Sequence, residues 1–177
     1  MAFLANLVSF QLCWVAFVWG GASGRWWLGF VPLLVFMAWQ LSASRWRRSD
    51  LLTMGLALLL GVLVESTMAA AGWFAYATPQ PALFFAPLWM LGMWINFGLT
   101  INHSMAWLKG RMLLAALFGL LGGPLTYVLA GSAWNALSVP EPMWPSLLAI
   151  GVAWAIAMPL LCTFAARHIG REPGHSP

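Results

Sequence analysis

The chain has 177 residues, 62% of them hydrophobic and only 7% charged, with a net charge of +4. A soluble domain carries about 25% charged residues, and a small globule has too much surface to hide such a deficit. A water-soluble fold is therefore excluded, and so is a nucleic-acid partner, because the basic residues sit in short connectors as membrane topology demands.

A helix needs about 20 apolar residues to cross a bilayer. Six segments approach that length: 3–20, 26–43, 51–76, 84–108, 112–131 and 146–168. The expected fold is all-α, a polytopic bundle of six transmembrane helices. It forms a single domain over residues 1–170, followed by a short cytoplasmic tail at 171–177. The thirteen tryptophans fit a bilayer interface. Cys13 and Cys162 fall inside apolar segments without metal-ligand spacing, so two buried thiols are expected and no disulfide.

The first span lacks a basic leading region and a convincing cleavage site, so it reads as a retained helix. It carries Asn6 and Gln11. The second span is the shortest, and the connector SRWRRSD follows it. Ser49 or Asp50 is a plausible N-cap for the third span. Arg45, Arg47, Arg48, Lys109, Arg111, Arg167 and Arg171 would share one face of the membrane, and only Arg25 the other. That bias makes the basic face, and with it both termini, cytoplasmic.

Glu65 lies about 20 Å into the third span by helix rise. A charge at such depth costs about 2.5–3.5 kcal/mol on insertion scales, so it should face protein. Gly61, Glu65, Ala69 and Gly72 form one stripe, and small residues there admit a neighbouring helix. No Lys or Arg lies nearby within a span. Protonation and neutral hydrogen bonds to Asn96, Gln11 or Tyr127 are then the cheapest solution.

The fourth span supplies a stripe of Asn96, Thr100, His103 and Trp107 on one helical face, with Trp89 continuing it outward. His103 lies about 15 Å below Glu65 by helix rise, too far to be its partner. The fifth span carries GLLGGPLTY. There Gly119 and Gly123 make a small-residue pair, and Pro124 frees the Leu120 carbonyl one turn before Tyr127. Pro159 can bend the sixth span in the same way.

The candidate catalytic group is thus Glu65. The candidate binding residues are Asn6, Gln11, Asn96, Thr100, His103 and Tyr127, with no metal site and no cofactor. Each also has a structural reading: Glu65 satisfied by its neighbours, His103 as a helix-end histidine near the headgroups, Asn96 and Thr100 as inter-helix contacts. The loop Arg45 to Arg48 serves topology, or else recognises anionic lipid. Phosphate-loop, zinc-protease and nucleophile-elbow motifs are missing, as is the internal repeat of many transporters.

The run NLVSFQLCW at 6–14, Glu65–Ser66, and Pro87–Leu88–Trp89–Met90 with Trp94 and Phe97 form a recognisable pattern. Asn102–His103–Ser104 with Trp107–Leu108, and Gly122–Gly123–Pro124–Leu125 with Tyr127 and Gly131, complete it. Together they resemble the bacterial inner-membrane proteins of domain of unknown function family 2878, over almost the whole chain. The resemblance implies a multi-pass protein of the bacterial inner membrane with no assigned activity. Genes of that family often neighbour lipid-modifying enzymes of the cyclopropane-fatty-acid-synthase type, which implies membrane lipids, and such an enzyme, as partners. It implies no catalytic residue and no oligomeric state.

Three functions compete. The first is a lipid-binding or accessory protein in membrane-lipid modification. The second is an intramembrane enzyme that uses Glu65 as acid or base on a lipid. The third is a small proton-coupled carrier, disfavoured by its single deep acid. The first is preferred.

Overall fold

A computed structural model describes residues 2–77 and 80–169 of the chain. Arg171 and the expected tail at 171–177 lie outside the described residues. Six α-helices dominate: α1 (Ala2–Ala22), α2 (Phe30–Ala43), α3 (Arg47–Ala70), α4 (Leu88–Gly98), α5 (Met112–Trp134) and α6 (Trp144–Ile169). Two small antiparallel pairs join their ends. β1 (Ala75–Tyr76) pairs with β4 (Leu137–Ser138), and β2 (Ala82–Leu83) pairs with β3 (Ala86–Pro87).

The chain is a membrane protein by its helices. Four of them, α1, α3, α5 and α6, are long and apolar enough to cross a bilayer. Their outer faces are rows of large exposed side chains, such as Leu4, Val8 and Leu12 on α1 and Leu113, Leu121 and Leu125 on α5. Such faces suit lipid rather than water. The all-α expectation holds. Cys13 and Cys162 are both free and buried.

The other two expected spans differ from a simple crossing helix. α2 has only 14 residues. The segment 84–108 is not one helix: α4 stops at Gly98, and only a single 3₁₀ turn (Ala106–Leu108) follows. Between them the chain makes i→i+3 bonds, Thr100 N–H to Phe97 (2.9 Å), His103 N–H to Thr100 (3.0 Å) and Ala106 N–H to His103 (3.2 Å). The single helical stripe from Asn96 to Trp107 therefore does not exist below Gly98. The physical reason is local. Gly98 is a poor helix former and lies so close to α3 that a Cβ there would come 2.9 Å from Met54 Cα. Beyond it, Asn102, His103 and Ser104 take side-chain partners on other elements, described below.

α4 is the centre of the bundle, packed against α1, α2 and α3 with Trp89, Trp94 and Asn96 fully buried. Glycines make these approaches possible. A Cβ at Gly61 would meet the Trp94 ring, one at Gly92 the Phe17 ring, and one at Gly119 the backbone at Trp154. Pro124 sits inside α5, and α6 closes in at Gly151 beside Leu120 O, the carbonyl that Pro124 deprives of its donor.

Gly72 has a different role from the packing face expected of it. Its φ is +74°, it is exposed, and it ends α3. Gly72 N–H bonds Ala69 O (3.1 Å) and Trp73 N–H bonds Met68 O (3.0 Å), a Schellman stop. The chain then turns back, and pairing of Tyr76 with Leu137 holds β1 over the end of the bundle.

Gly119 and Gly122 test this packing. Gly119→Leu should destabilise the protein by about 1–3 kcal/mol or more through overpacking against α6. Gly122, whose nearest neighbours are Phe118 atoms at 3.8 and 4.0 Å, should accept leucine with little change. Thermal unfolding in detergent would show it, and equal losses at both positions would contradict the α5–α6 contact.

Candidate functional site

Two polar clusters lie at different depths on α3. The first surrounds Glu65, which is fully buried. Its Oε1 accepts from Trp94 Nε1 (2.7 Å) and from the Tyr127 hydroxyl (2.5 Å), and its Oε2 from the Tyr76 hydroxyl (2.7 Å). The donors come from α4, α5 and β1, so one carboxyl ties three elements to α3. Tyr76 reaches it only because the Schellman stop and the β1–β4 pair return the chain across the end of α3. Aromatic contacts fix the donors: Trp94 stacks on Trp154 at 4.4 Å, and Phe74 lies between Tyr76 (5.3 Å) and Tyr127 (5.2 Å).

The second cluster lies near the start of α3. Asp50 is fully buried, and accepts from Asn102 Nδ2 at Oδ1 (2.8 Å) and pairs with His103 Nε2 at Oδ2 (3.1 Å). This is the one ion pair among the described residues, and His103 keeps 14% of its side chain exposed. With a carboxylate on Nε2, that nitrogen is the one that carries the proton. Gln40 Nε2 lies 3.2 and 3.1 Å from the two ring nitrogens. Asn102 also donates to Ser49 Oγ (3.0 Å) and accepts from Lys109 Nζ (3.0 Å). Burial pushes the Lys109 ammonium below the ordinary lysine value, with the Asp50 carboxylate opposing that shift.

Asn6 joins this network from α1. Its Nδ2 donates to Gln40 Oε1 (2.9 Å) and Leu99 O (3.1 Å), and its Oδ1 accepts from Ser104 Oγ (2.6 Å) and Ser104 N–H (3.3 Å). One side chain thus satisfies both ends of the non-helical segment after Gly98. Non-helical backbone at membrane depth requires such internal partners.

The six candidate binding residues do not form one pocket. Tyr127 belongs to Glu65, whereas Asn6 and His103 belong to Asp50. Thr100 bonds its own turn at Phe97 O (2.7 Å). Asn96 donates to Phe10 O (3.1 Å) across the α1–α4 contact, and its Oδ1 has no partner among the described residues. Gln11 is exposed. Of the three partners expected for Glu65, only Tyr127 is bonded to it; Trp94 and Tyr76 replace Asn96 and Gln11.

Sequence reasoning missed Asp50, Gln40, Asn102, Ser104 and Lys109. Neither Ser49 nor Asp50 caps the helix: α3 begins at Arg47, and the Asp50 carboxylate points inward from the first turn. A signal was present: Asp50 and Glu65 are two of only four acids in the chain. Among the described residues no group of three His, Cys, Asp or Glu side chains is placed to hold a metal ion.

Beside the first cluster runs an apolar cleft of about 380 Å³ between α1, α4, α5 and α6. Leu7 and Gln11 of α1 and Leu125 and Leu129 of α5 line it, and Gln11, Leu125 and Leu129 are exposed, so it opens on the side of the bundle. Trp94 and Tyr127 form part of its inner wall. Glu65 sits behind them.

A family model described as Protein of unknown function (DUF2878) matches residues 3–160. The chain belongs to this family. No curated protein and no solved structure matches it. Family membership leaves the chemistry to be argued from the site.

Substitutions at Glu65 separate its contacts. Glu65→Leu strands two buried donors, each worth about 1–3 kcal/mol when unsatisfied, and the half-buried Tyr76 hydroxyl. Glu65→Gln keeps one acceptor oxygen, and the tyrosine hydroxyls can accept as well as donate. The expected order of thermal stability in detergent is wild type, then Tyr76→Phe and Glu65→Gln, then Glu65→Leu well below. A Glu65→Leu protein as stable as wild type would contradict the cluster.

Proposed function

We propose that this protein binds a membrane lipid in the bacterial inner membrane by taking an acyl chain sideways into the cleft between α1 and α5. The observation that carries the reading is the cleft itself, apolar, open laterally and lined at depth by Trp and Met side chains. Pockets for small molecules are mostly apolar with a few placed polar groups, and here Gln11 and Thr126 are those groups. A lateral opening suits a ligand that already resides in the bilayer.

The geometry favours binding over catalysis by Glu65. Both oxygens of its carboxyl are taken by three donors, and it stands behind the cleft wall rather than in it. A general acid or base needs hydrogen-bond reach to the reacting atom. A role beside a lipid-modifying enzyme is compatible with the same cleft, with the protein presenting or retaining the substrate lipid.

The topology that goes with this reading has six passes and both termini in the cytoplasm. α4 with its following turns makes one pass, and the short α2 another. Its support is the clustering of Arg45, Arg47, Arg48, Lys109, Arg111 and Arg167 at one end of the helices, with Arg25 at the other. In a Cys13→Ala, Cys162→Ala background, Arg111→Cys should react with impermeant thiol reagent only from the cytoplasmic side. Val139→Cys should react only from outside. Labelling of Arg111→Cys in intact cells would overturn the orientation.

Lipid binding is tested by plugging the cleft. Gly122 borders it with no backbone close by, so Gly122→Trp should fold and place its indole in the cavity. Mass spectrometry of the protein purified in mild detergent should find bound lipid on wild type and several-fold less on Gly122→Trp. Equal occupancy in the two would reject the cleft as the binding site.

A further inference from the structure

The end of the bundle where α3 begins holds a second arrangement, built from residues the cleft does not use. Trp46 lies between α2 and α3, and three side chains capable of positive charge gather round its indole. The Arg45 guanidinium lies 4.3 Å from the ring centroid, Lys109 Nζ lies 5.6 Å from it, and the His103 ring centroid lies 5.9 Å away. Cation–π contacts of this kind hold a positive group without neutralising it.

The negative charge nearby is smaller than the positive. Asp50 is the acid of this region, and its two oxygens are taken by Asn102 and His103. Lys109 is bonded to the neutral Asn102 amide at 3.0 Å rather than to a carboxylate. Arg45 makes no ion pair among the described residues. α3 starts beside the same indole without a side-chain cap, so the positive end of its dipole adds to the field. Trp46 Nε1–H is a buried donor with no partner among the described residues. Buried donors normally have partners, and a half-buried cation such as Lys109 normally has a counter-charge, whereas Arg45 is exposed and free to reach a ligand.

We propose that Arg45, Trp46 and Lys109 form a binding site for a phosphate group, carried either by a lipid headgroup or by a free phosphate anion. Phosphate supplies what the cluster lacks: negative charge for Arg45 and Lys109, and an acceptor oxygen for the indole N–H. Asp50 and Gln40 hold the His103 imidazole against the indole, and these three are positioning residues here. This site stands apart from the cleft, so either assignment can fail while the other holds.

The test uses the full chain purified in a neutral sugar detergent, with thermal unfolding followed during titration. The probes are short-chain phosphatidic acid, short-chain diacylglycerol and inorganic phosphate. Phosphatidic acid should raise the melting temperature and diacylglycerol should not. Lys109→Met and Trp46→Phe should each move half-saturation to about tenfold higher concentration, the loss of one charge-assisted contact. Arg25→Gln, at the opposite end, should not. Trp46→Phe keeps an aromatic ring but removes the N–H donor and part of the cation–π face, both of them features of the site, so it decides the matter if Lys109→Met fails to fold. Response to phosphatidic acid alone assigns the site to a headgroup. Response to inorganic phosphate as well assigns it to the anion itself. No response to either, an equal response to diacylglycerol, or unchanged half-saturation in Trp46→Phe would overturn the proposal.

Discussion

A carboxyl group inside an apolar bundle must find hydrogen bonds there, because lipid offers none and an unpaired buried charge is costly. α3 carries two such groups, Asp50 and Glu65, 15 residues apart, or about 22 Å along the helix axis. Each is solved differently. Glu65 recruits three neutral donors from β1, α4 and α5. Asp50 recruits an imidazole and an amide from the turns after α4, and through them Lys109 and Gln40. The two acids fasten the middle of α4 and the turns that follow it to α3, and the remaining helices pack around that pair.

The early end of α4 follows from the lower of these clusters. A helix continued past Gly98 would carry Asn102, His103 and Ser104 round at about 100° per residue, and they would not all face Asp50 and Asn6. The chain gives up i→i−4 bonds for i→i−3 turns and brings all three side chains inward. The backbone groups this frees are met by Asn6, at Leu99 O and Ser104 N–H. Removing Asn6 would therefore leave polar backbone exposed to an apolar surround, which is why a small neutral amide rather than a leucine suits this position in the first turns of α1. Such irregular segments are tolerated at membrane depth only when wrapped by protein, and here α1, α2 and α3 provide the wrapping.

Much of this was legible in the sequence, and the rest was not for identifiable reasons. Composition is enough to show a helical membrane protein. The depth of Glu65 requires inward donors, and Tyr127 follows from the glycine–proline break that brings α5 near. Tyr76 was out of reach of periodicity, because it depends on a Schellman stop and a two-residue strand pair with Leu137. Trp94 was hidden by its type: an indole reads as apolar packing until a buried acceptor appears beside Nε1. The segment 84–108 has enough apolar residues for a span, and hydropathy cannot tell a straight helix from a helix followed by turns. Asp50 sits beside Arg47 and Arg48, a context that resembles a solvated helix start, so its burial was invisible without the partner segment.

Trp94 and Tyr127 connect the Glu65 cluster to the cleft. Each donates to Glu65 on one side and lines the cleft on the other. A side chain that only packed against lipid would sample several rotamers, since apolar contacts are not directional. A short hydrogen bond to a buried carboxyl removes that freedom, and the stack of Trp94 on Trp154 removes more. The cleft wall is therefore set before any ligand arrives, and a ligand entering it need not bear the cost of ordering those rings. On this argument the acid in the middle of an apolar helix acts at one remove: it fixes the shape of a surface that it does not itself touch.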